Sequence, residues 1–160
     1  VRSQTRDRAN ADNSATVSVS VAAVALPSTD LQMRMIGGPA GTVRGGSSLV
    51  FSAIARNGGT NAAPAPVATF SGNVPLASAS VTAPAGWSCT SNGTTVSFTI
   101  QCATSGAMAP GARATFALSV RTPAVGVQPT LSVSSNINAS GITDTVPVNN
   151  TASYSATIVP

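Results

Sequence analysis

The sequence predicts an all-β protein, an antiparallel β-sandwich of about seven to nine short strands with an extra amino-terminal strand. Three observations lead to this expectation. Apolar and polar residues alternate with a period of two over many short segments, as they do in half-buried strands. Val and Thr are plentiful while Glu and Lys are absent, which disfavours long helices. Clusters of Gly, Pro and Asn separate the segments, as turns separate strands.

Each strand is placed by its own alternation. In "DLQMRMI", Leu31, Met33 and Met35 share one face, and in "ARATFALSV", Phe116 and Leu118 do the same. We interpret the methionines and the six scattered aromatic residues as core side chains. The predicted strands cover residues 14–24, 30–36, 48–56, 67–70, 76–82, 94–101, 112–120, 130–137 and 151–159.

The segment 6–21, which leads into the first predicted strand, resembles the segment 143–158, which leads into the last one. At a constant offset of 137 residues (144 − 7), Asp7 aligns with Asp144 and Asn13 aligns with Asn150. We therefore divide the chain into a linking or docking strand at 1–24, a linker at 25–29 and a sandwich domain at 30–160. The residues expected to form the assembly strand are Ser14, Thr16, Val17, Val19 and Val21.

Two cysteines, Cys89 and Cys102, predict a disulfide. Such a bond would close a loop and contribute about 3 kcal/mol by the chain-entropy estimate. An Asn-Gly pair is a strong hairpin signal, so a turn at Asn92–Gly93 would place Cys89 near Val96, with Cys102 further along the returning strand. A structural disulfide indicates an oxidising compartment, and we expect an extracellular or cell-surface location.

The net charge of +4 is not organised for nucleic acid. Eight arginines are scattered along the chain, and Arg2, Arg6 and Arg8 form the only cluster in the sequence. No basic run is interleaved with aromatic residues, so no nucleic-acid partner is expected. No run of about 18 apolar residues is present, so membrane insertion is not expected either.

The residue inventory also argues against catalysis. Without His, Glu or Lys, four aspartates would have to supply any general base, and we predict neither an enzyme nor a cofactor. The glycine-rich segment 37–46 lacks the Lys-Ser/Thr of a phosphate loop and is interpreted as a loop joining two strands.

A weak calcium hypothesis remains. Asp144, Asn149 and Asn150 could offer oxygen ligands, joined by Asp12 and Asn13 from the first strand. The alternative is Asx-turn chemistry at the entrance to a strand, which uses the same residue types without a metal.

Four segments together resemble one family of surface proteins. They are "ARNGGTNAA" at 55–63, "APAGWSC" at 83–89, "MAPGARATFALSV" at 108–120 and "DTVPVNNTASYSATI" at 144–158. In this order they resemble the immunoglobulin-like repeats of bacterial and archaeal surface proteins known as domain of unknown function eleven. Three features depart from the family pattern: Met108 replaces a usual Leu, the cysteines lie further apart, and the opening strand lies outside the domain. The resemblance implies an immunoglobulin-like sandwich in tandem extracellular repeats, without catalytic residues.

These observations predict a non-catalytic structural unit of an extracellular fibre, filament or surface layer, and a bacterial source is expected. Its expected partner is another copy of itself, linked through the amino-terminal strand either within a covalent repeat array or by strand addition between separate subunits. The alternative function is an adhesin or a carbohydrate-binding module of a larger secreted protein.

Overall fold

A computed structural model of the chain describes residues 16–21 and 26–160, and in this part of the chain it contains twelve β-strands and no α-helix. None of its helical turns is long or apolar enough to cross a bilayer. The strands are β1 (Ser28–Thr29), β2 (Leu31–Gly37), β3 (Thr42–Arg44), β4 (Ser48–Asn57), β5 (Val67–Gly72), β6 (Ala79–Thr82), β7 (Ser88–Gly93), β8 (Phe98–Ala103), β9 (Arg113–Arg121), β10 (Thr130–Asn138), β11 (Thr143–Asp144) and β12 (Thr151–Val159).

Two sheets face each other, as the alternation predicts. One has six strands in the order β3-β12-β10-β5-β8-β7, and the other has four in the order β2-β4-β9-β6. Neighbouring strands are antiparallel, apart from β3 beside β12 and a separate short ladder between β1 and β11. The predicted all-β, immunoglobulin-like sandwich is therefore confirmed. The three strands of two or three residues account for the excess over the expected count.

The core lies between the two sheets and uses the faces that the sequence indicates. Phe51 on β4 and Phe116 on β9 are fully buried, as are Phe70 and Phe98 from the opposite sheet. Phe70 and Phe116 meet across the sandwich with ring centroids 5.3 Å apart. Burying four phenylalanines in one cluster contributes roughly 1.5–3 kcal/mol for each side chain.

The chain crosses from one sheet to the other between β2 and β3. Gly38 sits at the crossing with φ +77°, and a Cβ there would lie 2.6 Å from the Tyr154 ring. Tyr154 packs on Phe51 with ring centroids 4.8 Å apart, and its hydroxyl donates a hydrogen bond to the Pro39 carbonyl at 2.8 Å. Desolvation by burial raises the pKa of the Tyr154 phenol. The segment 37–46 is thus more than a loop, because it contains β3.

The hairpin that carries the cysteines differs from its prediction. Asn92 and Gly93 belong to β7, and the turn lies at residues 94–97, which were expected to be strand. The Thr94 hydroxyl accepts hydrogen bonds from the Val96 and Ser97 amides, both at 3.1 Å, and thereby stabilises this later turn. The shift brings Cys89 directly opposite Cys102, and the predicted disulfide is present, with an S–S distance of 2.06 Å.

A second boundary also differs from its prediction. Residues 76–78 form a 3-10 turn, and the strand expected at 76–82 begins only at Ala79. The Leu76 amide donates to the Thr94 carbonyl and the Ser78 amide donates to the Pro75 carbonyl, so these backbone groups are used by turns and not by a strand ladder.

The chain enters and leaves the domain at opposite ends. The β1–β11 ladder joins the segments immediately before β2 and shortly before β12, so both of these strands start at one end, which we name the entry pole. β3 pairs in parallel with the last residues of β12, and Arg44 lies opposite Val159 at the far end. β12 therefore ends at the pole opposite the one at which β2 begins.

We predict that Gly38→Ala lowers the free energy of unfolding by about 2–4 kcal/mol, because it adds both left-handed backbone strain and a clash with Tyr154. Gly41→Ala is the matched control: its φ is +82° but no atom lies within 4 Å of the added methyl group. The control should cost about 1–2 kcal/mol. Chemical denaturation of both variants measures the difference, and equal losses would contradict the crowding at the crossing.

Candidate assembly site

Residues 16–21, here named the arm, project from the domain. Val17, Val19 and Val21 are 84%, 79% and 90% exposed, and Thr16 is exposed as well. The strand expected at 14–24 forms no ladder within residues 16–21, and Ser14 lies outside the described residues. Exposing three alternating valines leaves an apolar stripe that β-strand pairing would cover.

The arm connects to the entry pole through a small ladder that the sequence did not indicate. Two residues of the predicted linker, Ser28 and Thr29, pair in parallel with Thr143 and Asp144. The Thr143 amide donates to the Pro27 carbonyl at 3.0 Å, and the Thr145 amide donates to the Thr29 carbonyl at 2.8 Å. The chain is thus fixed to the domain from Pro27 onward.

Asn57 is the buried centre of this pole. Its side-chain oxygen accepts hydrogen bonds from the Thr29 hydroxyl at 2.6 Å and the Gly59 amide at 3.0 Å. Its amide nitrogen donates to the carbonyls of Asn61 and Met108, both at 2.8 Å. One fully buried amide therefore joins β1, the turn after β4 and the segment before β9. The sequence indicated a turn here but not this role.

The three calcium candidates lie together at the entry pole. Asp144 accepts hydrogen bonds from the Leu31 amide at 2.9 Å, the Val146 amide at 2.8 Å and the Asn150 side chain at 3.0 Å. The Asn149 side chain donates to Asp30 at 2.9 Å. Both asparagines direct their nitrogens at carboxylates, and the Val146 contact is an Asx turn. These hydrogen bonds account for both carboxylates and for the nitrogens of the two asparagine side chains.

Two further observations concern a possible metal at this pole. Within residues 16–21 and 26–160, no three His, Cys, Asp or Glu side chains gather into a group that could hold an ion. The side-chain oxygens of Asn149 and Asn150 are buried without a hydrogen-bond partner in that part of the chain. Asp12 and Asn13 lie outside the described residues, so calcium binding stays an untested hypothesis that the experiment below addresses.

The outer edge of β7 has no neighbouring strand, and the Leu76–Ser78 turn contacts it only near Gly93. The Thr94 amide donates to the Ser97 carbonyl at 2.8 Å, so Thr94 and Ser97 form a hydrogen-bonded pair. Hydrogen-bonded and non-hydrogen-bonded pairs then alternate along β7 and β8. It follows that the backbone amides and carbonyls of Cys89, Ser91 and Gly93 point away from β8. All six residues of β7 are exposed, and none is charged or proline. Such an edge lacks the devices that normally prevent strand pairing.

The other three sheet edges suit an incoming strand less well. β3 has three residues and β6 has four, so each offers few hydrogen bonds. β2 has seven residues, but it carries Arg34, and the Asp144 carboxylate already binds the Leu31 amide at its start. Charged and capped edges resist pairing. β7 is therefore the longest of the four edges without a charge.

No protein-family profile matches the sequence, and no curated protein is significantly similar to it. The fold is similar to the CARDB domain of a Pyrococcus furiosus protein solved by NMR, with a TM-score of 0.52, 14% identity and coverage of 84% of this chain and 98% of that chain. A crystal structure of that domain with two metal ions gives a TM-score of 0.49, 14% identity, and coverage of 90% and 100%.

A more distant likeness is a cohesin module from a Clostridium perfringens family 33 glycoside hydrolase. Its TM-score is 0.46 at 12% identity, with coverage of 81% of this chain and 97% of that chain. At these identities the comparisons show the sandwich fold alone.

We predict that Asn57→Ala lowers the free energy of unfolding by about 2–4 kcal/mol, because it removes all four hydrogen bonds of a fully buried amide. The Thr29 hydroxyl then keeps only the Asn61 carbonyl at 3.1 Å, and the Met108 carbonyl keeps only the Ala63 amide at 3.0 Å. Asn61→Ala removes only an exposed bond of 2.7 Å to the Ser28 carbonyl and should cost about 0.5–1.5 kcal/mol. Urea denaturation of the two variants tests the ranking, and the reverse order would contradict the central role of Asn57.

We predict that a chelator leaves the melting temperature unchanged, because amide nitrogens and backbone amides already satisfy the Asp144 carboxylate. Thermal melts in excess EDTA and in millimolar calcium make the comparison. A calcium-dependent increase that Asp144→Asn removes would instead establish a metal at the entry pole, since ligand binding stabilises the folded state by mass action.

Proposed function

We propose that this domain is a non-catalytic structural unit of an extracellular fibre or surface layer, and that it belongs to the surface-repeat family that its sequence resembles. The arm of one unit engages the outer edge of β7 in the next. One observation carries the proposal: an uncharged stripe of alternating valines stands exposed outside a sandwich whose core does not use it.

The chemistry of the two surfaces is complementary. The six arm residues alternate Val with Ser or Thr and carry no charge, and β7 has six residues without charge. Strand addition supplies main-chain hydrogen bonds, and alternate side chains set the register. The contact is heterologous, because arm and edge are different surfaces, so it extends into a line and does not close into a dimer. The opposite positions of chain entry and exit suit that line.

The disulfide between Cys89 and Cys102 supports an oxidising, extracellular setting. Two arrangements share the same contact. The units can be separate subunits, or they can be repeats of one polypeptide in which residues 1–24 continue from a preceding domain. The mass of the native polypeptide after reduction and denaturation distinguishes them, because a separate subunit has a mass near 15.7 kDa.

We predict that deleting residues 1–25 abolishes polymerisation while the domain still folds, because the described contacts of the sandwich begin at Pro27. Electron microscopy and analytical ultracentrifugation measure assembly, and thermal melting measures folding. If the truncated chain polymerised as the full chain does, the arm would have no role in linkage. An adhesive module would lose little from the deletion and would keep its ligand.

We predict that Ser91→Pro raises the concentration needed for assembly by about tenfold or more, because proline removes an outward-facing amide and places its ring in the path of the arm. Ser91→Ala keeps that amide and is the matched control. Both variants should melt close to the unmodified protein, since the Ser91 amide is not part of the β7–β8 ladder. Unimpaired assembly of Ser91→Pro would show that the arm docks elsewhere.

A further inference from the structure

Arginines that are scattered in the sequence gather on one face of the fold. Side chains alternate between the two faces of a strand, and the inward positions of β2, β4 and β9 are fixed by Met33, Phe51 and Phe116. The outward positions then include four of the five arginines in the part of the chain that the structure describes. These are Arg34, Arg56, Arg113 and Arg121, all exposed and here named the arginine face.

Two of these arginines lie directly against each other. Arg56 on β4 is the register partner of Arg113 on β9, and neighbouring strands are about 4.8 Å apart. Arg34 joins them around a shallow depression of about 170 Å³, which Gln32 and Ile54 also line. Like charges directly opposite each other destabilise a sheet. The fold therefore maintains an unfavourable pair at this depression, and an anion bound there would relieve the repulsion.

No carboxylate in the described residues takes up this charge. Asp30 and Asp144 are the two acids there, and both lie at the entry pole. Asp30 accepts hydrogen bonds from the side chains of Gln32 and Asn149, and Asp144 binds two backbone amides and Asn150. None of these bonds involves a guanidinium group. Residues 26–160 of a second copy therefore offer the arginine face no acidic surface of matching size.

We propose that the arginine face binds an extended polysaccharide that carries carboxylate groups. A guanidinium group offers a planar fork of donors that matches a carboxylate in a bidentate contact. From Arg113 to Arg121 the face runs eight residues along β9, about 27 Å, which is long enough for several sugar units. Gln32 lines the same depression, and its amide nitrogen already donates to Asp30. Its side-chain oxygen can accept a hydrogen bond from a sugar hydroxyl.

The surface chemistry argues against a single-stranded nucleic acid as the partner. Single strands are held by aromatic side chains on which bases stack. The outward positions of β2, β4, β6 and β9 carry no aromatic residue, and the four phenylalanines are buried in the core. The disulfide indicates an extracellular setting, where acidic polysaccharides are accessible partners. This inference does not depend on the arm, so a protein without residues 1–25 should bind as well as the full chain.

The test measures binding of polygalacturonate, a polymer of carboxylate-bearing sugars, to the full chain by calorimetry at low salt. We expect the triple variant Arg34→Gln/Arg56→Gln/Arg113→Gln to lose affinity by about tenfold or more, because charge-assisted hydrogen bonds are lost. The single variant Arg113→Gln is also compared with a matched control, Arg44→Gln. The control removes the same charge from β3, which lies in the other sheet. The control should bind nearly as well as the unmodified protein.

Three results would contradict the proposal. Absence of binding, equal losses in Arg44→Gln and Arg113→Gln, or tighter binding to a DNA strand or to dextran sulfate would overturn it. Arg113→Gln should fold at least as well as the unmodified protein, since it separates like charges. A polygalacturonate-induced rise in melting temperature that the triple variant lacks gives a second readout.

Discussion

One stretch of chain, residues 31–44, hydrogen bonds with both sheets, and the rest of the structure depends on this crossing. β2 pairs with β4, and a few residues later β3 pairs with β12, so the chain itself closes one side of the sandwich. Gly38 permits the crossing because only a glycine fits between Tyr154 and Phe51 at that backbone conformation. The core is complete without residues 16–21. The arm is consequently available for contacts outside its own domain, which is the basis of the proposed linkage.

The sequence predicted the core well because alternation is a local property. Which face of a strand is buried can be read from residues two apart, and Phe51, Phe116 and Met33 all point inward as expected. The hairpin turn was misplaced for an equally local reason. Asn92–Gly93 has the composition of a tight turn, yet Gly93 serves a different purpose: a Cβ there would lie 2.6 Å from the Ser97 carbonyl oxygen and 2.8 Å from Leu76. A glycine fits at position 93 because neighbouring atoms leave no room for a side chain, and not because the chain turns there.

The functional surfaces were less predictable because they depend on which strands become neighbours. Arg56 and Arg113 are distant in sequence and meet only because β4 lies beside β9. The sequence indicates that Asn57 belongs to a turn. It does not indicate that the Asn57 side chain forms buried hydrogen bonds with Thr29 and Met108, because these residues are distant in sequence. The parallel ladder of Ser28–Thr29 with Thr143–Asp144 is too short to leave a periodic pattern. Alternation within each strand indicates that each arginine points outward. It does not indicate that the four arginines share one face, because that depends on which strands form the same sheet.

The covalent bond between Cys89 and Cys102 has a mechanical consequence. In the proposed fibre, tension along a line of units would pass through β7, the edge strand that we propose the arm engages. An edge strand held by hydrogen bonds on one side can peel away one bond at a time. Here the first residues of β7 are tied to the last residues of β8, and β8 is in turn paired with β5 in the interior of the sheet. The disulfide would therefore transmit the tension covalently from β7 to β8, which lies inside the sheet. As a result, β7 could not be peeled from its own domain starting at the Cys89 end.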